Sequence, residues 1–224
     1  MSSAPLAPAT ARSFAGTVKA LRRYTQQGAQ PERCDFCSSP ISASHRHLLE
    51  VEPRRVICAC DPCALRFQGV VGGRYRLIPR DARALPELRM PDGLWESFAF
   101  PINLIFFFQR SADGSVGAFY PSPAGATESL LPLESWRTLV SENPFLAELE
   151  PDVEALLVNR VGSVRRYYQA PIDRCFELAG LIRRHWRGLS GGEEVWGRID
   201  EFFARLDRDA LPREAGTLAE ANHA

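Results

Sequence analysis

The chain has 224 residues, of which 45% are hydrophobic and 24% charged. That balance excludes a disordered or fibrous chain and leaves room for one large domain or two small ones, with enough apolar surface for a core without disulfide staples. Its 27 basic and 27 acidic residues cancel, so a whole-protein basic footprint for nucleic acid is absent.

Residues 1–11 read as a flexible tail. They are Pro/Ala-rich and lack the basic start and apolar run of a secretory signal, so a cytoplasmic protein is expected. Residues 13–27 predict a helix, with Phe14, Val18, Leu21 and Tyr24 at helical spacing and Gly28 after it. A cysteine region covers 33–68. Residues 74–79 predict a short strand, and 90–100 are ambiguous. Residues 102–110 and 115–120 predict a hairpin around Asp113-Gly114. The run at 102–108 is far short of the ~20 residues of a membrane span and reads as a buried strand. Residues 121–132 read as a loop and 133–141 as a helix. Asn143-Pro144 opens another helical stretch, and Pro151 starts a further turn through Arg160. Residues 163–170 predict a strand, which splits Arg165-Arg166-Tyr167-Tyr168 between a solvent face and a core face. Residues 172–186 predict a helix. Ser190 and Glu193 form a capping box. The helix it opens carries Val195, Ile199, Phe202, Phe203 and Leu206 on one face. Residues after 211 read as a flexible tail.

The expected class is α+β. An N-terminal treble-clef-like zinc module joins a small, mostly antiparallel sheet packed with helices. The expected division is a helix and zinc module over 12–70 and an α+β body over 71–211, with tails at 1–11 and 212–224. Charge is uneven along the chain. Residues 12–83 carry 13 basic and 6 acidic groups, residues 84–156 carry 3 and 11, and residues 157–224 carry 11 and 10. Either these segments present different surfaces to partners or the first two lie against each other.

Cys34-Asp35-Phe36-Cys37 and Cys60-Asp61-Pro62-Cys63 are two C-x2-C pairs, 22 residues apart. Two-residue spacers let tight turns bring both sulfurs to one ion, and two such turns close a tetrahedron at ~2.3 Å. The expected ligands are therefore Cys34, Cys37, Cys60 and Cys63. Residues 47–51 and 55–58 predict strands around Glu52-Pro53-Arg54. Pro62 suits a first helical turn, where free amides favour thiolate charge. Knuckle, hairpin and helix is the treble-clef order. Cys58 is either a replacement for Cys60 or a spare thiol, and Cys60 is preferred because it keeps the x2 spacing to Cys63. His45 and His47 are also candidate ligands, but four cysteines already complete a site, so they read as ordinary hairpin residues. Cys175 reads as a small core residue. Zinc is the favoured ion. Iron is the rival, because a rubredoxin also uses two C-x2-C pairs. Rubredoxin knuckles usually carry Gly after the second Cys, where Ser38 and Ala64 stand here.

The segment from Cys34 to Phe67 combines with Met90-Pro91-Asp92-Gly93-Leu94-Trp95, the run from Tyr120 to Glu128, and His185-Trp186-Arg187-Gly188. Together they resemble an uncharacterised bacterial family whose members are often encoded beside an oxygen-tolerant, actinobacterial-type [NiFe] hydrogenase. The resemblance covers roughly residues 30–207. It implies an accessory role in assembly, maturation or electron-transfer support, with hydrogenase subunits or maturation factors as partners. The nickel-delivery maturation protein also has two C-x2-C pairs, but it begins Met-His-Glu, and this chain begins Met1-Ser2-Ser3. No nickel site is carried over.

Other motifs read as structure. Gly188 to Gly192 is a helix stop and start rather than an anion cradle. The loop at Ser122–Glu128 lacks G-x-S-x-G and any His or Asp partner. Phe106-Phe107-Phe108 reads as core. The leading expectation is a non-catalytic zinc-binding accessory protein acting through protein–protein interaction. The alternatives are a rubredoxin-like iron electron carrier and a zinc-ribbon nucleic-acid-binding protein. No catalytic constellation stands in the sequence.

Overall fold

A computed structural model describes residues 32–68, 73–129, 134–188 and 190–212. The helix expected at 13–27 and both terminal tails lie outside these residues, apart from Pro212.

The cysteine region folds as expected from its hairpin signals. Strand β1 (Arg46–Glu50) pairs antiparallel with β2 (Arg55–Ala59), with Glu50 opposite Arg55 and His47 opposite Cys58. Helix α1 (Asp61–Phe67) follows directly, with Pro62 in its first turn. Strand β3 (Tyr75–Leu77) adds to the other edge of β1, giving the order β2-β1-β3. Strand residues alternate faces, and the two faces of this sheet have different destinations. Leu48, Ile57 and Ala59 point into a small core with Cys34 and Ala64. Leu49, with Val56 opposite it, points the other way into the core of the body. Among the described residues, each face of β1 thus serves a separate core.

The body is built on a seven-stranded sheet. Its strands are β4 (Arg83–Ala84), β5 (Leu104–Gln109), β6 (Val116–Ser122), β7 (Gly125–Glu128), β8 (Glu154–Asn159), β9 (Arg166–Pro171) and β10 (Leu211–Pro212). The order is β10-β4-β9-β8-β5-β6-β7, and every pairing is antiparallel except that of β10 with β4. Strand β5 illustrates how the two faces are filled. Leu104, Phe106 and Phe108 face helices α4 (Ile172–His185) and α5 (Gly192–Asp209). Ile105 and Phe107 face the opposite side. There they meet helix α3 (Glu134–Glu142), residues around α2 (Asp92–Ser97), and the 3₁₀ turn Pro144–Glu148. Helices on both faces of an antiparallel sheet confirm the α+β class. All five apolar residues expected on one face of the last helix are buried, and Cys175 is a core residue.

Three sequence expectations are corrected. The stretch after Pro151 is strand β8, not a helical turn through Arg160. Ala155-Leu156-Leu157-Val158 is buried on both faces of a covered sheet, so it lacks the alternation that marks a half-exposed strand. Within the stretch read as a loop, Gly125–Glu128 pairs with β6, turning at Pro123-Ala124. Pro121 is tolerated because β5 pairs with β6 only as far as Phe119, beyond which β6 has one partner. The capping box does not form. Gly191, at φ 87°, takes the position before α5, and no side chain caps it. A Cβ on Gly191 would sit 2.8 Å from Val195 Cγ1, so the close approach needs glycine.

No helix among the described residues is long and apolar enough to cross a membrane.

Candidate metal centre

The two C-x2-C pairs meet. The sulfurs of Cys34, Cys37, Cys60 and Cys63 all lie within 4.8 Å of one another. Cys37 Sγ and Cys60 Sγ, from different pairs, are 3.7 Å apart, and no cysteine among those described is in a disulfide. Four sulfurs at ~2.3 Å from a tetrahedral ion are separated by about 3.8 Å. Such a set can hold a metal ion.

Local structure explains the arrangement. The first pair sits on a turn in which Ser38 N–H donates to Cys34 O and Cys34 N–H to Ser39 O. Asp35 ties this turn to β2. Its N–H donates to Cys58 O at 2.9 Å, and its carboxylate accepts from Cys58 N–H at 2.7 Å. Ser38 adopts a left-handed φ of 59°. That is the conformation a glycine would take, so the absence of Gly did not prevent a knuckle. The second pair sits at the start of α1, with Cys60 as the residue before the helix. Strand β2 ends at Ala59, and there the chain leaves the strand period. Cys60 consequently joins the small core with Cys63, while Cys58 remains on the opposite strand face.

The sulfurs differ in their readiness to ionise. Burial opposes charge on Cys34, but the backbone N–H groups of Cys60, Cys37 and Phe36 outweigh it and lower its pKa. Cys37 is held down to about 6, first by the hydroxyl and N–H of Ser39 and then by neighbouring thiols. Cys63 is pushed up to about 12, first by desolvation and then by the sulfurs around it. One thiolate forms readily, and the last forms only when a cation offsets the others. A site of this chemistry couples metal uptake to proton release.

Among the described residues, several arginines in and just after the module are paired with acidic side chains. Glu50 is buried and takes Arg55 on Oε2 and Arg74 on Oε1, each through two nitrogens. Arg76 reaches across to the acidic segment, donating to Asp152 at 3.1 Å and Pro151 O at 3.0 Å. The first two segments therefore meet at least in part through their opposite charges. Phe36, Phe67 and Tyr75 form a small aromatic group beside the cysteines, with Phe36 and Phe67 stacked at 4.2 Å.

The motif at Met90–Trp95 gathers around a residue that sequence reasoning passed over. Arg160 is buried, donates to Asp92 and to Met90 O, and lies over the Trp95 ring at 5.3 Å. Its Nε is the one buried side-chain polar atom without a partner among the described residues. Only the tertiary fold brings these 65–70-residue separations together. His185 pairs with Glu194 at 2.8 Å, and Trp186 Nε1 donates to Gly188 O, so the last motif closes the turn between α4 and α5. The strand expected at 163–170 forms, and Tyr168 and Tyr167 point to opposite faces, but both faces are covered, one by each core cluster, so the solvent face expected for this run is not found.

Fold and site together define an α+β protein carrying a four-cysteine cluster able to bind metal. The chain belongs to a family of unknown function, DUF5947, whose model matches residues 33–210. No curated protein and no solved structure matches it.

Proposed function

We propose that this chain is a non-catalytic zinc-binding accessory protein of a [NiFe] hydrogenase system, serving assembly, maturation or electron-transfer support. The observation that carries the metal part is the convergence of four cysteine sulfurs within 4.8 Å of one another, with Cys37 Sγ and Cys60 Sγ 3.7 Å apart. Four thiolates fill the coordination shell of Zn²⁺ and leave no position for water, so such an ion holds the knuckle, hairpin and helix together. The hydrogenase part rests on the sequence resemblance, whose motifs lie inside the matched residues. We take the module over 12–70 and the body over 71–211 as the two functional parts. Thiols kept reduced for a metal suit the cytoplasm. A protein partner is favoured over nucleic acid because Arg46, Arg55, Arg74, Arg76 and Arg80 are all engaged by acidic side chains.

Co-purification with the hydrogenase tests the partner. A tagged chain expressed with the hydrogenase should retain a hydrogenase subunit or maturation factor, and recovery of neither overturns that assignment. The left-handed Ser38 supports a second reading, a rubredoxin-like iron carrier. Protein grown with iron would then be red with thiolate-to-iron absorption. Colourless protein holding zinc at the four cysteines excludes it.

A further inference from the structure

His45, His47 and Cys58 form a second cluster, separate from the four cysteines. Their ligand atoms lie within 4.8 Å of one another. The register explains why. His47 and Cys58 are directly opposite on β1 and β2, and their face is the one that Leu49 and Val56 turn toward the body. The cluster therefore sits where the small sheet meets helix α4.

The outer hydrogen bonds decide which nitrogens face inward. His45 Nδ1 lies 2.9 Å from Ser42 O and 3.4 Å from Glu32 Oε2. A carbonyl and a carboxylate only accept, so Nδ1 carries the proton. His47 Nδ1 lies 2.6 Å from Asp173 Oδ2, a carboxylate at the start of α4, and donates for the same reason. Each neutral ring is then left with a bare lone pair on Nε2. Those two Nε2 atoms are 3.0 Å apart. Two lone pairs at that distance repel unless a cation lies between them. Two nitrogens bound at ~2.0–2.1 Å to a tetrahedral ion are about 3.3 Å apart, close to the observed spacing. Ligating histidines commonly donate their other N–H to a carboxylate or backbone carbonyl, and here one of each is present.

We propose that His45, His47 and Cys58 bind a second divalent ion of the Zn²⁺ class, with its fourth position open. Two imidazoles and a thiolate suit a borderline ion rather than Ca²⁺ or Mg²⁺. His45 and His47 line a cleft of about 450 Å³ whose other wall includes Asp173, Glu177, Arg205 and Asp209. With two of its three protein ligands, His45 and His47, on the cleft wall, the ion would have room there for water or an incoming ligand, the arrangement of an exchangeable ion rather than a closed structural one. The ion also joins the module to the body, because His47 is fixed by Asp173. Asp173 is a positioning residue. The inference does not depend on the four-cysteine reading, which uses different side chains.

Equilibrium dialysis of the full chain against fixed micromolar free Zn²⁺, under reducing conditions, tests it. The wild type should hold one ion more per chain than His45→Gln or Cys58→Ser, with both variants keeping the remaining ion and an unchanged circular dichroism spectrum. Asp173→Asn should weaken the second ion about 10–100-fold. With Co²⁺ as the probe, the second ion should show a thiolate charge-transfer band that Cys58→Ser removes. Equal metal content in wild type, His45→Gln and Cys58→Ser overturns the proposal, leaving a proton shared by the histidine pair. Cys34→Ser distinguishes the two sites. If it keeps the full metal count while His45→Gln loses one ion, the four-cysteine reading fails and this one stands.

Discussion

The small sheet and the seven-stranded sheet are both antiparallel, yet they are held together differently. The small core contains Leu48, Ile57, Ala59, Ala64 and Cys34, with partly buried residues around them. The larger sheet has a cluster on each face, including Phe106, Tyr168, Phe202 and Phe203 on one side and Phe98, Phe107 and Leu156 on the other. Apolar burial at about 25 cal/mol per Å² sustains the body. The module has far less such surface; on the proposed reading, an ion held by its four converging thiols supplies much of the remainder.

Metal loss should break the comparison most sharply. Structural zinc in small modules contributes on the order of 10 kcal/mol at pH 7, expressed as folding free energy. Cys34→Ser and Cys63→Ser should lower zinc content and expose amides of residues 33–68 to hydrogen exchange, while β5 and β8 stay protected. A chelator should do the same. Cys175→Ser should keep full zinc, because Cys175 is buried in the body. If Cys60→Ser keeps the tightly bound ion and Cys58→Ser loses it, the ligand register is wrong.

The converse experiment removes apolar bulk from the body. Phe202 and Phe203 are each 2% exposed. Replacing either with Ala should cost ~3–5 kcal/mol in urea unfolding without changing metal content. A loss below about 1 kcal/mol for both would show that α5 is peripheral.

Acid should act next, and chiefly on the module. Hydrogen bonds from Arg74, then Arg55, hold Glu50 below its ordinary value of 4.5 despite desolvation. A lowered folded pKa contributes stability above the unfolded value and loses it as pH falls through the folded one. The difference in exchange protection of β1–β3 between wild type and Glu50→Gln should be full at neutral pH and vanish in acid. A difference independent of pH would show that packing, not charge, is responsible.

The smallest effect concerns the link between the two parts. Arg76 is partly exposed, and it pairs with Asp152 at 3.1 Å and more loosely with Glu150 at 3.8 Å, supported by Pro151 O. Arg76→Met should cost about 1 kcal/mol and become less costly at high salt. Unfolding of the two parts should then separate slightly in temperature.

Legibility in the sequence followed the range of the interactions. The two cysteine pairs, the Asp113-Gly114 hairpin and the amphipathic last helix were readable because each is specified within a few residues. The β1–β2 register was nearly readable too. Once Glu50 is set opposite Arg55, His47 must face Cys58, and the second cluster follows. It was passed over because four cysteines already completed one site. Strand β8 was not readable, since a doubly buried run has no period to distinguish it from a helix. Strand β7 was hidden because Gly-Ala-Thr-Glu carries little strand propensity and forms only as an edge on β6. Asn143 sits at the expected helix start but does not cap it. Its side chain instead bonds the backbone of Arg89 and Leu139.

By itself the sequence determined the α+β class, the local turns that pair the cysteines, and which face of the final helix is apolar. These follow from spacing and periodicity, which act over one or two turns of chain. The tertiary structure alone decided which faces of β1 serve which core, the burial of Arg160 against Asp92 and Trp95, and the carboxylate of Asp173 behind His47. The physical reason is that these contacts join residues about 65 to 126 positions apart along the chain. Loop closure over such lengths is settled by the packing of whole sheets and helices, not by any local pattern.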